Sequence, residues 1–267
     1  MNSVTTTTTP SRGSANLTAL YTIARREVAR IMRIWGQTLV PPAITMTLYF
    51  LIFGKLIGSQ VRDMGGVSYM SFIVPGLVMM AVIQNAYGNI SSSFFGAKFA
   101  RHIEELLVSP MPNWVILLGY VAGGVLRGLM VGAIVLVISM FFTHLSVPHP
   151  LVTLATVLLG ATVFSLAGFI NAVYAKKFDD IAIVPTFILT PLTYLGGVFY
   201  STEMLPDWAR TLTHFNPVFY IVNAFRYGLL DKTDVPMWTS FGLMIAFVIG
   251  LGALALYLLK RGTGLRS

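Results

Sequence analysis

Six stretches of this sequence are apolar and long enough to be read as bilayer crossings, and no water-soluble fold of this size has room to bury them all. They lie at about 38–54, 69–95, 114–142, 151–175, 181–200 and 237–259. A helix needs about 20 apolar residues to cross a hydrocarbon core of about 30 Å. The runs are continuously apolar rather than alternating, so they read as helices and not as barrel strands, which would change character at every second residue. Pro41 and Pro42 fall in the first turns of the first run, where early helical N–H groups have no intrahelical partner to lose. The expected fold class is an all-α polytopic membrane protein with six transmembrane helices.

Composition narrows the function classes. Charged residues make up 10% of the chain and hydrophobic ones 55%, which leaves little polar surface for a second, soluble domain. The net charge of +8 does not read as a nucleic-acid footprint, because the basic residues sit scattered at the ends of apolar runs rather than on one polar face. Cysteine is absent, which excludes disulfides, thiol nucleophiles and Cys-based metal sites.

The same basic residues set an orientation. With the N-terminus inside, cytoplasmic segments hold Arg12, Arg25, Arg26, Arg30, Arg33, Lys98, Arg101, Lys176, Lys177, Lys260, Arg261 and Arg266. The other side holds Lys55, Arg62, Arg210, Arg226 and Lys232. Twelve against five places both termini in the cytoplasm by the positive-inside rule.

Residues 1–16 are polar, with a threonine run and no apolar core of a cleavable signal, and read as a disordered tail ahead of a transmembrane domain over 17–267. Leu17–Arg33 repeats apolar residues at three- and four-residue spacing (Leu20, Ile23, Ala24, Val28, Ile31, Met32). Arg25, Arg26, Glu27, Arg30 and Arg33 fall largely opposite. That pattern suits an amphipathic helix lying in the membrane interface with its arginines among headgroups; a cytoplasmic extension of the first span is the alternative. Between the last two runs, Ser201–Asn216 carries Trp208 and Phe215. Pro217 follows, then an apolar stretch to Leu230 with Tyr220 and Arg226. Two short helices dipping in from the outer face would satisfy their backbone internally, and an ordinary interfacial loop helix is the alternative.

No hydrolytic motif is present: there is no G-x-S-x-G elbow, no H-E-x-x-H and no Cys/His ligand set. The four histidines fall in loops on different sides, and His144 and His149 read as solvated bystanders. The Gly54-Lys55 pair lacks the glycine spacing of a phosphate-binding loop, so this chain cannot hydrolyse ATP by that route. All ten acids, Glu27 among them, read as belonging to tails or loops, which leaves no midplane carboxylate to carry a coupling ion. Arg127 is the one charge deep in a span, and an arginine does not deprotonate to relay protons. Around it Gly124, Gly128 and Gly132 repeat every fourth residue, a strip that lets helices approach closely. Helix packing accounts for the strip, while Arg127 itself could equally face an aqueous path or an anionic headgroup.

The segment after the second run mixes charge with apolar residues: Lys98, Phe99, Arg101, His102, Glu104, Glu105, Leu106 and Leu107, ending at Pro110 and Pro112. A solvated turn and a docking element both fit that composition. At this segment the sequence resembles a known family. The runs IEELLVSPMPNWVILLGYV, FDDIAIVPTFILTPLTYLGGVFYSTEMLP and HFNPVFYIVNAFRYGLL resemble the ABC-2 family of bacterial membrane permeases. So do RIWGQTLVPPAITMTLYFLIFG and RGTGLRS, and the likeness covers nearly all of the chain after residue ~20. The resemblance implies an inner-membrane exporter subunit that forms a homodimer around a central path among membrane lipids. It implies a separate cytosolic ATPase in two copies, binding ATP and magnesium itself and docking on the Lys98–Met111 segment, and re-entrant helices between spans five and six. Substrates across the family range from polysaccharides and lipid-linked glycans to hydrophobic drugs. The aromatics Tyr87, Phe94, Phe95, Tyr194, Phe199 and Tyr200 do not decide among them. A non-transporting scaffold or channel is the rival reading.

Overall fold

A computed structural model describes residues 12–58, 60, 64 and 66–264, which are almost entirely helical. Arg62 and Arg266, counted above for orientation, lie outside the described residues, as does the tail up to residue 11. Residues 12–16, read above as tail, already belong to the first helix.

α1 (Arg12–Arg33) breaks at Ile34 into α2 (Trp35–Tyr49), which runs on as a π-helical segment, Phe50–Ile57. α3 (Tyr69–Phe99) starts at Ser68, whose hydroxyl accepts the Ser71 N–H, and is followed by the short α4 (His102–Val108). α5 (Asn113–Ser139) and α6 (Pro150–Tyr174) form an antiparallel pair. α7 (Phe178–Val184), a π-helical stretch (Pro185–Leu189) and α8 (Thr190–Tyr194) make one unbroken helix of seven, five and five residues. α9 (Asp207–His214), α10 (Pro217–Leu230) and α11 (Met237–Arg261) complete the chain, α11 ending at Gly262 with φ 66°.

From Phe72 to Ile83 α3 is apolar all round and buried all round, as a helix stretch without a polar face must be. Its Ile73–Ile83 stretch sits in the centre of the core with α5, α6 and α10 packed about it. The outer helices bury only one side. Val40, Ile44 and Leu48 of α2 and Ile245, Ile249 and Leu254 of α11 stay exposed, an apolar exterior that lipid rather than water would cover. Among the described residues five helices are long and apolar enough to cross a membrane: Trp35–Ile57, Tyr69–Phe99, Asn113–Ser139, Pro150–Tyr174 and Met237–Arg261. The run read as a span at 181–200 instead forms the helix of 178–194, about 26 Å long at 1.5 Å per residue. It stops because the chain turns at Gly196-Gly197, where Gly197 adopts φ 72°.

The two ends of the bundle are distinguishable. At one end Lys98 at the base of α3 reaches the last carbonyls of α6, and Gly264 after α11 packs on Val173. The start of α1 and the α4 loop meet there too, enclosing a cleft between Ala15, Thr22, Leu106 and Met111. At the other end Ser71 bonds Thr143, the Tyr69 hydroxyl donates to the Phe199 carbonyl and His149 bonds Asp231.

Candidate functional site

α4 is built to stand off the bundle while staying fastened to it. Arg101 precedes it in the left-handed region at φ 61°, a sharp corner between α3 and α4. Pro110 and Pro112 stop the helix on the other side. Ile103 is buried as the anchor, and Leu106 and Leu107 pack partly beneath. Arg101, His102 and Glu105 are exposed, Glu104 is half-buried, and Val108 is 88% exposed. The seven-residue helix therefore offers charge and one bare apolar side chain outward.

Two residues grouped with this loop have other partners. Lys98 belongs to α3, and its ammonium donates to the carbonyls of Val173 and Ala175, both at 2.7 Å. A cation there satisfies orphan carbonyls at the negative end of the α6 dipole. Phe99 lies exposed at the end of α3 with its ring 5.1 Å from that of Phe178. Nearby Asp180 accepts the backbone N–H groups of Lys176 and Lys177 at the start of the following helix.

α1 differs from the expectation in two respects. It advances with α5 turn for turn: Ile23 packs on Gly119 and Glu27 on Gly123. A helix lying flat across the bundle end could not keep that register, so over Ile23–Ile31 the helix lies along the bundle, in the groove between α3 and α5. The reason is steric: the two glycines remove the side chains that would hold α1 away, and a Cβ on Gly123 would stand 2.7 Å from that of Glu27. The second difference is Glu27 itself, which belongs neither to a tail nor to a loop. It is 1% exposed, between buried Ile23 and Ile31. Ser93 of α3 donates to its carboxylate at 2.7 Å, Arg30 donates to Oε2 at 2.9 Å, and Arg26 lies 3.7 Å from Oε1. Arg30 also donates to Asn89 Oδ1 at 2.7 Å, and Arg26 to the Tyr120 hydroxyl. Arg25 and Arg33 are exposed. Glu27 is thus a buried carboxylate, although it lies on α1 and not on one of the helices long and apolar enough to cross a membrane. This carboxylate, however, is fixed in place by a guanidinium and a hydroxyl rather than standing free to exchange an ion.

The glycine strip packs within the chain. Gly124 faces Ser165 of α6 and the Ala86 carbonyl of α3; Gly128 lies between Ala86 and Ala161; Gly132 meets Val82. Arg127, on the same helix, has no protein hydrogen-bond or ion-pair partner among the described residues, and its Nε is buried.

α9 and α10 meet at a capped corner. Asn216 accepts the Val218 N–H and donates to the Leu192 carbonyl, Pro217 opens α10, and the Tyr220 hydroxyl donates back to the His214 carbonyl. α10, about 21 Å long, is buried, while Trp208 and Phe215 at the α9 side stay exposed. Arg226 is buried without an ion pair among the described residues: it donates to the Gly197 carbonyl at 2.6 Å and lies 3.9 Å over the Phe72 ring. Of the six aromatics named from the sequence, Tyr87, Phe94 and Phe95 are core residues. Tyr194 and Phe199 cluster with Tyr49 and Phe53, a partnership with the first span that sequence spacing cannot reveal.

Comparison with known proteins places this geometry. The ABC-2 type transporter family matches residues 18–230. The chain is 58% identical over 249 residues to the inner membrane transport permease YadH of Escherichia coli (strain K12), covering 93% of this chain and 97% of that protein. It is 26% identical over 205 residues to Nodulation protein J of Sinorhizobium fredii (strain NBRC 101917 / NGR234), 76% of each. It is 22% identical over 259 residues to Nodulation protein J of Neorhizobium galegae, 97% of this chain and 94% of that one. The chain, a multi-pass helical protein of the inner membrane, belongs to the ABC-2 type transporter family.

Proposed function

We propose that this chain is the permease subunit of an ATP-binding-cassette exporter, working as a homodimer with two copies of a separate ATPase. The ATPase binds ATP and magnesium, and the permease moves an amphipathic, lipid-like or glycan substrate outward from the cytoplasm or inner leaflet. The helix of 178–194 serves as the fifth of six spans in this reading, and α9–α10 as a re-entrant pair from the outer face. The end of the bundle that carries α4 also carries Arg101, Lys176, Lys177, Lys260 and Arg261, so the positive-inside rule makes it cytoplasmic.

The observation that carries the proposal is α4: a short helix anchored by Ile103, cornered at Arg101 and presenting Glu105 and Val108 to a partner at the basic end. Acids there pair with basic residues in a cleft of the ATPase. If these acids were only solvated, exchanging their charge would matter by about 0–1 kcal/mol. In a partly desolvated interface, reversal sets like charges against each other at a cost of several kcal/mol. Glu104→Lys/Glu105→Lys should therefore leave membrane insertion intact while the co-purified ATPase is lost and hydrolysis falls to that of the isolated ATPase. Wild-type binding and hydrolysis in this variant would refute docking through α4.

A further inference from the structure

The groove that seats α1 carries more positive charge than its own chain neutralises. Glu27 is the one carboxylate there, and its oxygens are already taken by Ser93 and Arg30. Two guanidiniums of α1, those of Arg26 and Arg30, lie about it, and Arg127 follows one turn beyond Gly123 on α5. Arg127 has no protein partner among the described residues, although its Nε is shut away from water. Beside this cluster, between α1 and the last turns of α3, lies a cleft of about 470 Å³. Arg26, Arg30, Arg33, Ser92, Ser93 and His102 line it, with Glu27 at its base. Its remaining wall, Ala29, Gly96, Ala97 and Ala100, is small and apolar.

Such a cleft distinguishes among ligands. A cation meets three arginines and a carboxylate that is already committed. An uncharged sugar leaves the excess charge unanswered. A phosphate presents the geometry that guanidinium forks bind bidentately, with serine hydroxyls to complete its shell. The smooth alanine and glycine wall beside the arginines gives an acyl chain or isoprenoid a surface to lie on. The position agrees, since the cleft stands at the basic end of the bundle, next to the corner that leads into α4.

We propose that this cleft binds the phosphate headgroup of an anionic amphiphile. The inference rests on the exporter reading for the bilayer around it and narrows that reading to a ligand class. Occupancy would neutralise the α1 arginines and tie α1 to the end of α3, close to where the ATPase docks.

The test titrates the full-length permease in uncharged detergent with dioctanoyl phosphatidic acid, followed by calorimetry, with dioctanoylglycerol and inorganic phosphate as the other two probes. The phosphatidic acid should saturate one site per chain, the glycerol should not bind, and inorganic phosphate should compete only weakly for want of a chain. Arg26→Gln/Arg33→Gln should weaken binding at least tenfold, and Arg33→Gln alone by several-fold, with unchanged thermal unfolding of the single variant guarding against misfolding. Arg25→Gln, on an exposed position away from the cleft, should bind within twofold of wild type. Equal binding of dioctanoylglycerol, or wild-type affinity in Arg26→Gln/Arg33→Gln, would overturn the site. Inorganic phosphate binding as tightly as the lipid would overturn the amphiphile assignment in favour of a free anion. No ATPase takes part, so failure here leaves the docking test standing, and failure of docking leaves this one.

Discussion

At the scale of single residues, Glu27 shows how a charge can be hidden in plain sequence. It lies four residues from Ile23 and four from Ile31, so a helix places all three on one face, and that face is the buried one. Read from composition, its neighbours Arg25 and Arg26 made the stretch look solvated. The burial is legible only with the groove that receives it, and the groove exists because α5 carries glycine at 119 and 123. Removing the carboxylate strands Arg30 among half-buried groups, with Asn89 its remaining partner. Glu27→Ala should cost about 2 kcal/mol, read as a lowered unfolding temperature of the purified protein. Because the two residues share one interaction, Glu27→Ala/Arg30→Ala should cost clearly less than the two single changes summed. Strict additivity would mean the pair is not coupled.

At the scale of elements, five of the six apolar runs became long helices near their expected limits, because continuous apolarity over 20 residues admits little else in lipid. The sixth was less legible. Pro185 and Pro191 lie inside it, and the helix passes between them through a π-helical stretch before ending near Gly196. Hydropathy does not register that stop, since Val198 and Phe199 continue the apolar run as non-helical chain. The candidate site divides in the same way. The prolines at 110 and 112 mark where the segment stops, but its composition fits a solvated turn as well as a docking element; that Lys98 turns inward to cap α6 is not legible, because its partners lie 75 and 77 residues away. The direction of each element is open to a direct check in a chain without cysteine. Single cysteines at Ser146 and Thr233, both exposed, should react with an impermeant maleimide in intact cells. Those at Asn113 and Lys177 should react only after permeabilisation, and labelling of the latter pair from outside would invert the orientation.

At the scale of the whole molecule, one chain closes its own core and leaves its lipid-like exterior and one charged end to others. α3 is surrounded over its apolar half, the glycine strip of α5 is used internally, and the aromatic residues Tyr87, Phe94 and Phe95 are buried in the core. In the exporter reading a path for the amphiphile forms between chains or along a groove at the edge of one, and that reading calls for two copies. In the exporter reading the charged end takes the ATPase, and this sequence carries no phosphate-binding loop of its own. The central claim is that the chain is half of a machine whose energy comes from a separate ATPase. It is tested most directly by the native mass and ATP hydrolysis of the complex isolated through a tag on this chain. The account predicts two copies of the permease with two of an ATPase, and hydrolysis that depends on the permease. A permease that isolates without an ATPase under mild conditions, or in a stable complex of one copy each, would contradict it.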